Sequence, residues 1–441
     1  MDWDKLGEEA VSALCEYLRI DTTNPPGNET PGAEFLGGIL NAEGIEYRII
    51  EGAPRRGSLL ARLEGNGVGK PLILLSHIDV VPADAEKWDV HPFSGEIKDG
   101  FVWGRGALDM KGMGIMELMA FIAAAREGLE LGRDVVLLAV ADEEAGGYSG
   151  AKYLLDNHPQ ELEAGLVINE GGFANTELIS GTPLFMIANA EKYGLWLQLK
   201  RRGVGGHGSM PTGQGALERL VPALSRLVAE QRHIVINPTM RAFFSTLAEH
   251  WEMLAPYKED GEVETLHKLI EENNLTALPA LSAVLRDTVS LNMLNAGVKI
   301  NVIPDEADAS LDCRLLPETD AEEFIQYIRD ALDDPEIEID TSMDMENAPA
   351  SPLDSDLFAT LRKAIENDYP GAVTTPFMLS GLSDSRFFRS RGVPCYGIIP
   401  AHLSLMDLAC IHGVNEKIAV LDVKDGAKLM YDIIVAICSP S

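Results

Sequence analysis

Apolar residues recur at helical spacing over residues 4–19, where Leu6, Ala10, Leu14 and Leu18 share one face. Short strand patterns follow at 46–51, 58–63 and 71–76. The last of these, PLILLS, is apolar on both faces, as in a sheet covered on both sides. Residues 111–127 predict a helix, 134–141 (DVVLLAVA) a buried strand, 150–157 a helix and 165–169 (GLVIN) another strand. This alternation predicts an α/β layer sandwich with a largely parallel or mixed sheet.

Near residue 190 the pattern changes. LWLQLK at 195–200 reads as an exposed, alternating strand, and a helix pattern follows at about 214–230. Two strand patterns at 298–303 and 308–316, a helix at 319–333 and a strand at 336–341 complete a β-α-β-β-α-β unit. Residues 238–290 are helical and amphipathic, and read as an insertion lengthening this unit. MENAPASP at 345–352 resembles a linker. A strand at 393–399 and a final helix at 421–437 return the chain to α/β character. The expected organisation is therefore a first domain in two parts, 1–192 and 346–441, with an α+β domain inserted at 193–345.

Composition narrows the function. The chain has 441 residues, enough for two domains, with 46% hydrophobic and 24% charged residues. Its formal net charge of −33 argues against nucleic acid and anionic membranes as partners, since both attract basic surfaces. An anionic substrate would need a local basic group. The cysteines, Cys15, Cys313, Cys395, Cys410 and Cys438, are odd in number and show no CxxC spacing. That suits a reducing compartment and argues against a disulfide framework or a thiolate zinc site. The opening MDWDKLGEEA lacks an apolar leader core, and no apolar run is long enough to span a membrane, so a cytoplasmic location is expected.

Several metal-ligand residue types fall just after strand patterns. His77 and Asp79 follow PLILLS, Glu143 and Glu144 follow DVVLLAVAD, and Glu170 follows GLVIN. Ligands bind beyond the carboxyl ends of strands in open α/β sheets. One strand-end carboxylate is more often a helix cap than a ligand, but three strands delivering such groups to one edge form a candidate metal site. Asp109 precedes the helix at 111, and His412 precedes the last helix. Mixed histidine and carboxylate donors without cysteine suit a catalytic zinc, manganese or cobalt site.

Seven segments occur in one order: SHIDVVPAD at 76–84, GRGALDMKG at 104–112, DEEAGG at 142–147, INEGG at 168–172, GGHGSMP at 205–211, NVIP at 301–304 and IHGVNE at 411–416. Together they resemble the co-catalytic dizinc family of aminoacylase, acetylornithine deacetylase, succinyl-diaminopimelate desuccinylase and glutamate carboxypeptidase. The resemblance spans nearly the whole chain. It implies a three-layer α/β/α zinc-peptidase domain carrying a ferredoxin-like lid or dimerisation domain. It also implies hydrolysis of an amide bond in an N-acyl amino acid or short peptide, beside a free carboxylate.

The resemblance further implies roles. Asp109 would bridge two divalent ions, zinc first, with cobalt and manganese able to use the same donors. His77 and Glu170 would complete one ion's ligands, Glu144 and His412 the other's. Asp79 would hold the His77 imidazole, and Glu143 would be the general base. His207 would stabilise the oxyanion, and Asn301 with Arg314 would hold the substrate near its carboxylate. A cis peptide is implied after Asp109. Gly381 and Asp384, in SGLSDSRFF, resemble a loop near the pocket or a purely structural one. Dimeric relatives imply a homodimer with His207 acting across the interface, although the insertion could fill the partner's place. A rival reading is a binding protein on the same scaffold. It would lack the base, and Glu143 is present.

Overall fold

The computed structural model describes residues 1–440, the side chains of residues 344 and 405 excepted. Its large sheet has eight strands in the spatial order Tyr47–Ala53, Arg56–Leu63, Val135–Val140, Leu72–His77, Leu166–Asn175, Cys395–His402, Leu184–Glu191 and Val373–Leu379. The centre is parallel: Leu72–His77 pairs in parallel with both Val135–Val140 and Leu166–Asn175, and Cys395–His402 pairs in parallel with Leu166–Asn175. The Tyr47–Ala53 and Arg56–Leu63 edge is antiparallel, so the sheet is mixed.

Alternate residues of each central strand enter different cores. Leu72, Leu74, Val135 and Leu137 face a core shared with the helices Trp3–Leu18, Lys111–Glu127 and Val420–Cys438. Ile73, Leu75, Val136 and Leu138 face the opposite core, with Ala151–Asn157 and Phe387 and Phe388 of Ser385–Arg389. Burial on both sides explains the continuous apolar runs in these strands. The result is the expected three-layer α/β/α arrangement. Asp2 starts the first helix by accepting the Lys5 amide at 3.1 Å, and Gly128 closes the helix Lys111–Glu127 in the left-handed region at φ 58°.

A second sheet is antiparallel throughout, in the order Thr288–Ala296, Glu306–Leu315, Tyr193–Arg202 and Ile337–Asp344. The helices Ala216–Ala229 and Ala321–Leu332 bury one face of it through Leu220, Leu224, Phe324 and Ile328 against Leu195, Leu197, Leu199 and Leu311. This is the β-α-β-β-α-β unit, with one correction. Its second strand is Thr288–Ala296, not 298–303, of which only Val302–Ile303 is extended. The true strand lies at the sheet edge with Met293 and Leu294 exposed, so its pattern carries no buried face to read.

The helical insertion packs elsewhere than expected. Phe243, Phe244 and Leu247 of Pro238–Ala248, with Leu266 and Ile270 of Val263–Glu272, share a core with Leu184, Met186 and Met378 of the large sheet. Among the described residues no helix is long and apolar enough to cross a membrane, and all five cysteines are free.

Candidate metal centre

The carboxyl ends of the central strands carry the candidate chemistry. His77 ends its strand, Glu143 and Glu144 form a single 3-10 turn just after Val135–Val140, and Glu170 lies inside Leu166–Asn175. Asp109 comes from the turn before Lys111–Glu127, and its peptide bond to Met110 is cis. His412 comes from the turn after Leu405–Leu408, with φ 57°.

Asp109 stands between the two histidines. Its Oδ1 lies 2.9 Å from His77 Nε2 and its Oδ2 lies 3.0 Å from His412 Nε2. On one side, Glu170 Oε1 lies 3.8 Å from His77 Nε2. On the other, Glu144 Oε2 lies 3.3 Å from His412 Nε2. Donor atoms of His77, Asp109 and Glu144 lie within 4.8 Å of one another, as do those of His77, Glu143 and Glu170.

The electrostatics describe a site short of positive charge. Burial pushes the carboxyls of Glu143 and Glu170 well above the usual range, and their acidic neighbours add to it. Glu144 is raised by burial too, and its Oε1 is buried without a hydrogen bond among the described residues. His412 is pushed up to about 10 by its hydrogen bonds to Asp109 and Glu144. Burial acts to lower the His77 pKa, but Asp109 and the surrounding glutamates outweigh it and hold the imidazole well above its usual value. Asp109 is pulled down despite its burial by the two imidazoles. Six clustered histidine and carboxylate side chains with an orphaned buried oxygen fit divalent cations, which would neutralise the carboxylates together.

Asp79 does more than its position beside His77 suggests. The nearest Asp79 atom to His77 Nδ1 is the main-chain carbonyl oxygen, at 2.9 Å, with the carboxylate Oδ1 at 3.6 Å. The buried carboxylate accepts the amides of Glu143 and Glu144, each at 3.1 Å, and the Asn24 side chain at 2.8 Å. It therefore sets the turn that aims both glutamates.

Glu416 is a residue that sequence reasoning missed. Fully buried, it accepts the amides of Gly106 at 3.2 Å, Leu108 at 2.8 Å and Asp109 at 3.0 Å, and pairs with Arg105 at 2.5 Å. Arg105 also donates to the Gly413 carbonyl at 2.7 Å. Glu416 thus ties the turn carrying His412 to the turn carrying Asp109. It lay inside a recognised segment, IHGVNE, but nothing in sequence marks a buried acceptor.

A cleft of about 870 Å³ opens over the cluster. Asp109, Glu143, Glu144, Glu170 and His412 line it, and so does Arg314 from the second sheet. Gly381 lines it as well, while Asp384 is buried and pushed up to about 7 by that burial. His207 and Asn301 are not in this cleft. His207 pairs with Val302 in an exposed two-stranded ribbon, where the Asn301 carbonyl accepts the Gly208 amide at 2.9 Å. Asn301 and Arg314, expected together, are therefore apart. The strand beside Glu306–Leu315 is Thr288–Ala296, and the segment around Asn301 leaves the sheet.

Comparison with known proteins gives a consistent picture. The profile of peptidase family M20/M25/M40 matches residues 73–436. The N-fatty-acyl-amino acid synthase/hydrolase PM20D1 of Xenopus tropicalis is 30% identical over 94% of this chain and 83% of its own length. Aminoacylase-1 of Sus scrofa is 28% identical over 89% of this chain and 86% of its own. The M20 family metallo-carboxypeptidase Sso-CP2 of Sulfolobus solfataricus superposes with a TM-score of 0.72 at 21% identity, covering 97% of this chain and 98% of that one.

Proposed function

Because this chain belongs to peptidase family M20/M25/M40 and is a metal-dependent hydrolase of amide or peptide bonds, we propose that it cleaves N-acyl amino acids whose acyl group is apolar. The cleft lining carries this reading. Beside the acidic cluster the walls are Phe173, Phe377, Leu403, Leu408 and Ile411, while Arg314 supplies a cation. An apolar wall suits a hydrocarbon acyl chain. A guanidinium suits a carboxylate. The names of the fatty-acyl and aminoacylase relatives fit both.

Asp109, His77, Glu170, Glu144 and His412 would hold two divalent ions, zinc first. When bound, such ions polarise a carbonyl and make water nucleophilic near neutral pH. Glu143 takes the proton from the attacking water and returns it to the leaving amine. Asp79 and Glu416 keep the donor turns in place. Arg314 holds the product amino acid's carboxylate.

His207 acts from a second copy of the chain, where it stabilises the oxyanion. Two observations favour this arrangement. His207 and Asn301 are exposed outside their own cleft. Val298, Ile300 and the edge-strand residues Met293 and Leu294 are exposed too, with Ile300 at 103%. An apolar, unpaired strand edge is a surface for pairing with another chain.

The test is an acyl-length series on one amino acid, from acetyl to lauroyl, beside a dipeptide. kcat/KM should climb with length, by at most roughly three- to four-fold per buried methylene. Dipeptide turnover above every acyl substrate would contradict the reading.

A further inference from the structure

Asp312 and Arg314 lie two residues apart on the strand Glu306–Leu315, so their side chains leave the same face. Ala309, Leu311 and Cys313 leave the other face and are buried against the helices. Asp312 grips the guanidinium by one edge: Arg314 Nε donates to Oδ1 at 2.8 Å and Nη2 donates to Oδ2 at 3.3 Å. Among the described residues Nη1 has no hydrogen-bond partner, and the Arg314 side chain lines the cleft.

The neighbouring strand shapes the space around this pair. Trp196 lies opposite Asp312, lines the cleft and donates its indole N–H to Asp312 Oδ1 at 3.1 Å. Gly194 lies opposite Arg314. A Cβ there would meet Met345 Sδ at 2.9 Å. One carboxylate thus fixes both a cation and a flat aromatic wall. The pair is more than a quarter exposed on each side, and an ion pair so exposed adds little to folding stability. Its consequence is orientation.

We propose that Asp312 is a positioning residue for the substrate carboxylate. It occupies the Nε–Nη2 edge of Arg314 and turns the Nη1 side toward the anion, with Trp196 held beside it. This rests on the reading that Arg314 receives the substrate's free carboxylate. Two effects of Asp312 oppose each other. Holding a long side chain in its binding rotamer lowers KM, because ordering is complete before the substrate arrives. The negative charge of Asp312 repels the substrate anion and raises KM. The bidentate contact favours the first effect, since it leaves the guanidinium few rotamers.

The experiment compares an N-acyl amino acid with its C-terminal amide in the zinc-loaded wild type, Asp312→Ala, Asp312→Asn and Arg314→Ala. Wild type prefers the acid. Asp312→Ala raises KM for the acid by roughly two- to ten-fold, the scale of immobilising one such side chain, while kcat and the amide KM stay in place. Asp312→Asn keeps an acceptor oxygen and retains most of the preference. If wild type discriminates but Asp312→Ala leaves or lowers the acid KM, Asp312 only screens Arg314 and the proposal is overturned. Equal losses on acid and amide in Asp312→Ala also overturn it, because they mark a structural role. If wild type and Arg314→Ala both treat acid and amide alike, the carboxylate clamp itself fails, and positioning falls with it.

Discussion

Glu416 holds the backbone amide of Asp109 at 3.0 Å across 307 residues of chain. The same carboxylate faces Arg105, and both side chains are almost fully buried. Removing one member of such a pair leaves an uncompensated buried charge. Glu416→Ala should cost about 3–5 kcal/mol of stability and weaken metal retention at Asp109. Glu416→Gln keeps an acceptor for the turn and should lose less. Urea denaturation and elemental analysis check both.

Asp109 turns one carboxylate oxygen toward each histidine, as the proposed bridging role requires. Asp109→Ala should lose both ions, whereas His77→Ala and His412→Ala should each weaken mainly one. Elemental analysis is the readout. One ion retained at full occupancy in Asp109→Ala contradicts the bridging role.

The adjacent glutamates should separate by phenotype. Glu143→Gln should keep its metals and lose at least about 10²–10⁴-fold in kcat, the contribution of a general base. Glu144→Gln, whose oxygen lies 3.3 Å from His412, should lose metal first. The reverse outcome reverses the assignment.

Much of this site was legible in sequence because strand ends announce themselves. PLILLS and DVVLLAVA are buried on both faces, so their ends, and the acidic and histidine residues that follow, could be located without coordinates. The strands Leu184–Glu191 and Val373–Leu379 were not read. The first is buried along its whole length beside the inserted helices, and the second carries Pro376 in its middle. The packing of those helices on the large sheet was hidden as well, since an amphipathic face does not name the surface it covers. Glu416, Asn24 and Asp312 act through main-chain or neighbouring groups. Pairings of that kind depend on tertiary distance and leave no periodicity.

Subunit sharing has its own test. Glu143→Gln and His207→Ala proteins should each be inactive, and mixing them under conditions of demonstrated subunit exchange should restore part of the activity. No recovery despite exchange means that His207 does not cross between copies.

Lys192 joins the two sheets, lying between Glu191 and Tyr193. Its ammonium donates to the carbonyls of Ala283 and Arg286, both at 2.9 Å, and burial lowers its pKa to about 7. An unfolded lysine titrates at about 10.4. Between those values the unfolded chain binds more protons, so this group contributes stability that grows as pH rises. The unfolding free energy of wild type minus that of Lys192→Met should therefore rise from pH 7 to pH 9 in urea denaturation. A constant difference contradicts the depressed amine.

The most direct measurement is amine release from an N-lauroyl amino acid by zinc-loaded wild type and Glu143→Gln, with metal content verified in both. The expected result is rapid release by wild type, abolished by chelation and restored by added zinc. Glu143→Gln should retain its zinc and be nearly inert. Release that survives chelation, or a Glu143→Gln protein as active as wild type, would contradict metal-dependent hydrolysis with Glu143 as the base.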